Sequence, residues 1–306
     1  MIVDVHYHYT RLPADEEAAR SSVAGMLIDA ERAGIRKSVD EVLPLFRDIM
    51  EDVECDKLVQ RMDESGVDVT VINLVDNYDW GATNERVMRA HERCANAAAK
   101  HPGRLIALAG IEPRRPDAPA LFRECIERLG MKGLKWHPDN GFYPNSKEAY
   151  EVLQVADELG VPLLTHTGPL PSSRAKYSHP LHLDDIALDF PDMPIIAAHM
   201  GDILWRDWAA LAKYKRNIFG DLAMWQFLAV NRPAHFRGYL RELLDLVGAS
   251  QVLFATDGPV FEPHVSTRRF IEIVRRLPEE SADGLRFTQQ EVDAMLGGNA
   301  ARIFKL

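Results

Sequence analysis

Eight short apolar runs, each ending near a glycine, a proline or a polar residue, constrain the fold of this chain more than any other feature. They are IVDVHYH (2–8), VTVINLV (69–75), RLIALAGI (104–111) and GLKWHP (133–138), then VPLLTHTG (161–168), PIIAAHMG (194–201), NIFGDLA (217–223) and QVLFATDG (251–258). Their nearly continuous apolar character is that of strands buried on both faces. Stretches of helical spacing lie between them. Ser146 opens SKEAYEVLQVADELG as an N-cap and Gly160 closes it; DAPALFRECIERLG (117–130) has the same expected start and stop, at Asp117 and Gly130. Thr288 and Glu291 form a capping box before the last helix.

Alternating strands and helices in a 306-residue chain predict an α/β fold, a closed (β/α)8 TIM barrel in one domain over 1–306. No glycine-rich phosphate loop follows any strand, which removes the usual nucleotide folds. The first two strands stand about twice the usual interval apart, so residues 11–55 hold a helical insertion. Within it KSVDEVLPLFRDIM (37–50) is amphipathic, and CDKLVQRMDESG (55–66) comes next as the first outer helix. An insertion after the first strand lies over the barrel mouth, where lids are built.

Polar residues gather where the strands end. Side chains alternate faces, so His6 and His8 project the same way, with Asp4 expected one layer below. His137 ends the fourth strand with Lys135 on its face; His166 ends the fifth, His199 the sixth and Asp257 the eighth. A lone histidine at a strand end is more often a hydrogen-bonded core residue, and Asp257 alone reads equally as a helix cap. A barrel brings all C-terminal strand ends to one rim, where active sites are built. Joint placement there predicts a metal site of imidazoles and a carboxylate. A bound divalent ion, most simply Zn2+ with Mn2+ as an alternative, would activate water and polarise a substrate carbonyl.

A net charge of −10 without a basic run argues against nucleic acid or an anionic membrane as partner and leaves a small-molecule substrate. No run of about 18 apolar residues predicts a membrane span. Residues 1–10 lack a secretory signal pattern, and Cys55, Cys94 and Cys125 fit reduced core thiols, so a cytoplasmic location is expected.

The histidine pair on strand one, the histidines on strands five and six and the aspartate on strand eight resemble the amidohydrolase superfamily. HPGRLIALAGIEP, GLKWHP, DDIALDFPDMPIIAAHMG, FATDGP and GGNAARIFKL narrow the likeness to the amidohydrolase-related branch that includes aminocarboxymuconate-semialdehyde decarboxylase. The resemblance implies that His6, His8 and His166 bind one divalent ion, with Asp257 as further ligand or acid/base and His199 as the catalytic histidine. It implies a mononuclear site in which His137, rather than Lys135, faces the pocket. It also admits a homodimer.

Trp80, Trp136, Phe142 and Tyr143 are expected as aromatic walls, or else as loop packing. The loop 168–185 carries Arg174, Lys176, Tyr177, His179 and His182, and Arg174, or Arg47 in the insertion, is the candidate for a substrate carboxylate. The expected activity is hydrolysis of an amide, lactone or ester. The alternative is non-oxidative decarboxylation of a planar unsaturated or aromatic acid, and a ligand-binding barrel without catalysis ranks third.

Overall fold

The computed structural model describes residues 1–32, 34, 36–171, 173–279 and 284–306. Its eight strands are β1 (Val3–His8), β2 (Val69–Asn73), β3 (Leu105–Leu108), β4 (Leu134–Trp136), β5 (Leu163–His166), β6 (Ile195–Ala198), β7 (Ile218–Asp221) and β8 (Val252–Leu253). All neighbouring pairs are parallel, in the order β1-β2-β3 and β4-β5-β6-β7-β8. Two seams join these sheets into a barrel. Ala109 pairs with Leu134, and Tyr7 pairs with Gly258. At the second seam Val5 N donates to Phe254 O at 3.1 Å and His8 N to Gly258 O at 2.5 Å.

The helices follow the strands around the outside. The insertion contributes α1 (Glu16–Arg32) and α2 (Val39–Met50), and α3 (Asp56–Ser65) leads into β2. Then come α4 (Asn84–Lys100), α5 (Ala118–Glu127), α6 (Lys147–Glu158), α7 (Leu183–Asp189), α8 (Trp205–Ala212), α9 (Trp225–Asn231) and α10 (Pro233–Val247). After β8 come α11 (Thr267–Arg275), α12 (Gln289–Asp293) and α13 (Asn299–Phe304). Ser146 and Thr288 cap as expected. Asp117 does not: its backbone is left-handed (φ +61°), its side chain accepts nothing from α5, and Pro119 presets the first turn instead.

Strand side chains split into two layers. Val3, Val5, Val71, Leu108, Leu164, Ile196 and Leu253 fill the barrel, and Ala300 and Ile303 of α13 join them. Leu163, Ile195, Ile218 and Phe254 face outward against Phe122, Val152, Ile186, Leu240 and Phe270 of the helices. Each such buried Leu, Ile or Phe contributes about 1.5–3 kcal/mol of transfer free energy. Ala19, Val23, Val42, Leu43, Phe46 and Met50 form a separate cluster inside the insertion. Among the described residues no helix is long and apolar enough to cross a membrane.

One irregularity positions the site. Between Asp4 and Tyr7, β1 takes three steps where β2 takes two, from Thr70 to Ile72. The extra residue is a bulge, and it reverses the facing of the residues after it. Val5 therefore lies inside with His6 and His8, while Asp4 turns the other way, accepting from Thr256 N at 3.0 Å and Thr256 Oγ1 at 2.5 Å. The expectation that Asp4 lies beneath the histidines fails for that reason.

Candidate metal centre

His6 and His8 meet at the rim, their Nε2 atoms 3.2 Å apart. Asp257 crosses the β1–β8 seam to place Oδ1 2.8 Å from His8 Nε2 and 3.3 Å from His6 Nε2. The ligand atoms of His6, His199 and Asp257 all lie within 4.8 Å of one another. The His166 ring meets that of His199 at 5.1 Å and stacks on His137 at 4.8 Å, nearly parallel at 9°. Thus residues from both ends of the chain converge, although His199 rather than His166 completes the tightest trio.

Three of the imidazoles are aimed by a partner behind them. Asp221, fully buried at the end of β7, has Oδ2 3.2 Å from His6 Nδ1. Its Oδ1 accepts from the backbone N–H of His199 at 2.8 Å and of Ala223 at 3.1 Å. An ionised carboxylate only accepts, so His6 carries its proton on Nδ1 and turns Nε2 into the centre. His166 Nε2 faces Gly168 O at 3.1 Å, which leaves Nδ1 as the bare nitrogen. Asp139 does for His137 what Asp221 does for His6, with Oδ1 3.2 Å from Nδ1.

The backbone at the rim is strained. His199, Met200 and Asp202 are left-handed, with φ of +65°, +51° and +53°, and so is Asp257 at +53°. Such positions cost a non-glycine residue about 1–2 kcal/mol and cluster at functional sites. The turn after β6 is held by Gly201 N donating to Thr167 Oγ1 at 2.9 Å, and by Thr167 Oγ1 donating to Ala198 O at 2.6 Å.

Burial keeps the rings neutral. It drives His6 well below the usual imidazole range, with Lys135 adding to the effect, and it lowers His166. His137 and His199 are pushed down to about 3 by the same cause. Burial acts to raise Asp257, but His6 and His8 beside it prevail and hold it well below the carboxylate range. Asp221 is raised by burial, against the pull of His199 and its backbone donor.

Three ring nitrogens here are buried without a hydrogen-bond partner among the described residues: His137 Nε2, His166 Nδ1 and His199 Nδ1. Leaving polar atoms unpaired in the interior costs about 1–3 kcal/mol each, and so many in one place fit a group that binds them. Imidazole and carboxylate donors suit a divalent ion such as zinc or manganese. The three cysteines sit in the outer packing layer, as read from the sequence.

Other expectations need correction. Lys135 faces the centre as well as His137, its Nζ 2.8 Å from His6 Nε2, because both lie on the inner face of β4. Trp136 between them faces outward into the core, donating Nε1–H to Ile111 O at 2.8 Å, and is no pocket wall. Trp80 is 70% exposed on the turn Tyr78–Trp80. Arg174 is exposed beside Tyr177, in a loop that docks through Tyr177 and His182 on Tyr143; Ser172 of that loop lies outside the described residues. Arg47 is engaged by Glu16 of α1.

Sequence reasoning missed Asp221 and Asp139 as orienting carboxylates, although Asp221 ends a strand like the other rim residues. It also missed a groove of about 940 Å³ bounded by Trp205, Trp225, Phe227, Leu228 and Arg232. Trp225 links that groove to the centre, donating Nε1–H to His199 O at 3.4 Å.

The family model described as Amidohydrolase matches residues 3–306. No curated protein matches the sequence. Among solved structures, the chain is similar to dihydroxybenzoic acid decarboxylase from Polaromonas sp. JS666, with bound manganese and the inhibitor 2-nitroresorcinol (19% identity, TM-score 0.67, covering 100% of this chain and 97% of that one). A 5-carboxyvanillate decarboxylase from Sphingomonas paucimobilis is similar at 17% identity and TM-score 0.66, with 100% and 99% covered. The 5-carboxyvanillate decarboxylase from Novosphingobium aromaticivorans, complexed with manganese and 4-hydroxy-3-methoxy-5-nitrobenzoic acid, is similar at 16% and 0.66, with 100% and 96% covered. At these identities the likeness speaks for the barrel fold. The family match over nearly the whole length, joined to the histidine–aspartate rim, makes this chain a member of the amidohydrolase family.

Proposed function

We propose that the chain is a metal-dependent, non-oxidative decarboxylase of a planar aromatic acid. The observation that carries this over hydrolysis is that decarboxylases of aromatic acids align with the chain along its whole length. The aromatic groove beside His199 supports a flat, apolar substrate body, in the volume range of small-molecule sites. Manganese in two of those structures supports an ion of that kind as readily as zinc.

In this reading His6, His8, His166 and Asp257 hold one divalent ion, with Asp221 and Gly168 O fixing the tautomers of His6 and His166. A divalent ion held there would supply Lewis acidity toward anionic oxygens of the substrate. The ring–carboxylate bond breaks and a ring C–H bond forms, so one proton must be delivered to carbon. Asp257 is ionised and His199 neutral, so both stand at the centre to relay a proton taken from the substrate's own acid or hydroxyl group, His199 being held in place through its backbone N–H.

The test is product analysis with manganese-loaded and zinc-loaded protein. Carbon dioxide and the decarboxylated phenol are expected from a hydroxybenzoate or from 5-carboxyvanillate. Cleavage of a lactone or ester with water uptake, and no carbon dioxide from any aromatic acid, would return the assignment to hydrolysis.

A further inference from the structure

We infer that the substrate carries a second apolar ring beyond the one that bears the reacting carboxylate, and that the groove between the loops after β5, β6 and β7 and the helices α8 and α9 receives it. The inference rests on the reading of the chain as an aromatic-acid decarboxylase and concerns the part of the substrate remote from the reacting carbon.

Three rim residues lead directly into the groove. Pro169 lines it three residues after His166, Asp202 three after His199, and Met224 three after Asp221. Three residues span at most about 11 Å, so the groove opens within that reach of the centre, on its β5–β7 side. Among the described residues that line it, none is His6, His8, His137, His166 or Asp257. A carboxylate held at those residues therefore keeps its own ring at the threshold. What enters the groove is attached to that ring.

Size points the same way. The groove has a volume of about 940 Å³, near the top of the range of about 300–1,000 Å³ for sites that enclose drug-sized ligands. A single ring would leave most of it to water, against apolar walls. Those walls are already held in place. Trp205 meets Trp225 edge-on at 6.2 Å and Tyr239 at 6.0 Å, and Phe227 packs edge-on against Phe261 at 4.8 Å. Arg206 lies over the Trp205 ring at 4.1 Å and is pinned by Glu242 at 2.7 Å. Rings fixed by one another have little freedom to collapse into the space, and a ligand that fills it has little left to order. With Arg206 supplying the cation on Trp205, the groove favours a neutral ring over a cationic group.

The experiment measures calorimetric binding of benzoate, biphenyl-3-carboxylate and biphenyl-4-carboxylate to the manganese-loaded protein, in wild type, Leu228→Trp and Ile203→Trp. Both residues line the groove, and an indole at either place takes up its volume. Ile203 is 76% exposed, so its replacement leaves the fold intact. Wild type is expected to bind one biphenyl isomer about 30-fold or more tighter than benzoate, the gain from burying a second ring. Filling the groove should cut that ratio at least about tenfold by weakening the biphenyl acid alone, with benzoate affinity within about twofold of wild type. The inference is overturned if wild type shows no such preference, if the preference survives both substitutions, or if benzoate weakens as much as the biphenyl acid. Binding is read without turnover. Carbon dioxide from one-ring acids, with a ratio that groove filling leaves unchanged, sinks this inference alone. A ratio that groove filling abolishes, with no carbon dioxide from any aromatic acid, sinks the decarboxylase reading alone.

Discussion

The roles of single residues depend on the partner behind each ring. Asp221 touches no ligand position, yet it orients His6 through Nδ1 and clamps the His199 backbone. Asp221→Asn should lower metal affinity roughly 10–100-fold, as loss of such orienting partners does, in a competition titration with a chromogenic chelator. His166 and His199 should separate by metal content. His166 has the orienting carbonyl of a ligand, whereas His199 Nδ1 is unpartnered among the described residues and the residue is held through its backbone N–H. His166→Ala is expected to lose the ion, and His199→Ala to keep it while activity drops by two or more orders of magnitude. The reverse pattern in elemental analysis would make His199 the ligand. Burial also predicts a pH effect. His137 is held at about 3 in the fold, and an unfolded histidine titrates near 6.5. Its contribution to stability is therefore present above pH 6.5 and is lost as pH falls from there towards 3, amounting to at most about 2 kcal/mol by pH 5. In metal-stripped protein, the drop in unfolding free energy between pH 7 and pH 5 should be smaller in His137→Phe than in wild type by up to that amount. Equal slopes in urea titrations would show that water reaches the ring.

At the scale of elements, the period-two rule read most of the rim correctly, and its failures are instructive. Lys135 and His137 share the inner face of β4, so Trp136 between them had to face outward, as it does. Asp221 was equally legible, as the polar end of the seventh apolar run. The bulge in β1 was not, because an extra residue changes facing without changing composition. Nor were the aromatic walls on α8 and α9, since helical spacing shows which face is apolar but not which strand end it overhangs. The insertion was read as helical from α2, and the structure adds that it carries a small core of its own, with Phe46 fully buried between α1 and α2. Phe46→Ala removes a contribution of about 3–5 kcal/mol from that core and from no other. Limited proteolysis should then cut within residues 11–50 many times faster than in wild type, while the melting temperature of the barrel stays put. A matching fall in barrel stability would mean that the insertion and the barrel unfold as one.

For the molecule as a whole, one of the two weak lines is where chain start meets chain end. β1 and β8 are joined by one strand bridge and few backbone hydrogen bonds, while β5, β6 and β7 pair over continuous runs. The proposed ligands straddle that line, with His6 and His8 on one side and Asp257 on the other. An ion held by them would close the barrel as well as serve the chemistry. Ligand binding to the folded state adds about 2.7 kcal/mol at a hundredfold excess over Kd, and the geometry says where that stabilisation is felt. Chelation should lower the unfolding midpoint and raise amide exchange at Val5 and His8, which donate across the seam, while the amides of β5–β7 keep their protection. Manganese should restore both. Exchange that rises evenly around the barrel, or does not change on chelation, would show that the strands hold the ring closed unaided and that the rim histidines serve only the reaction.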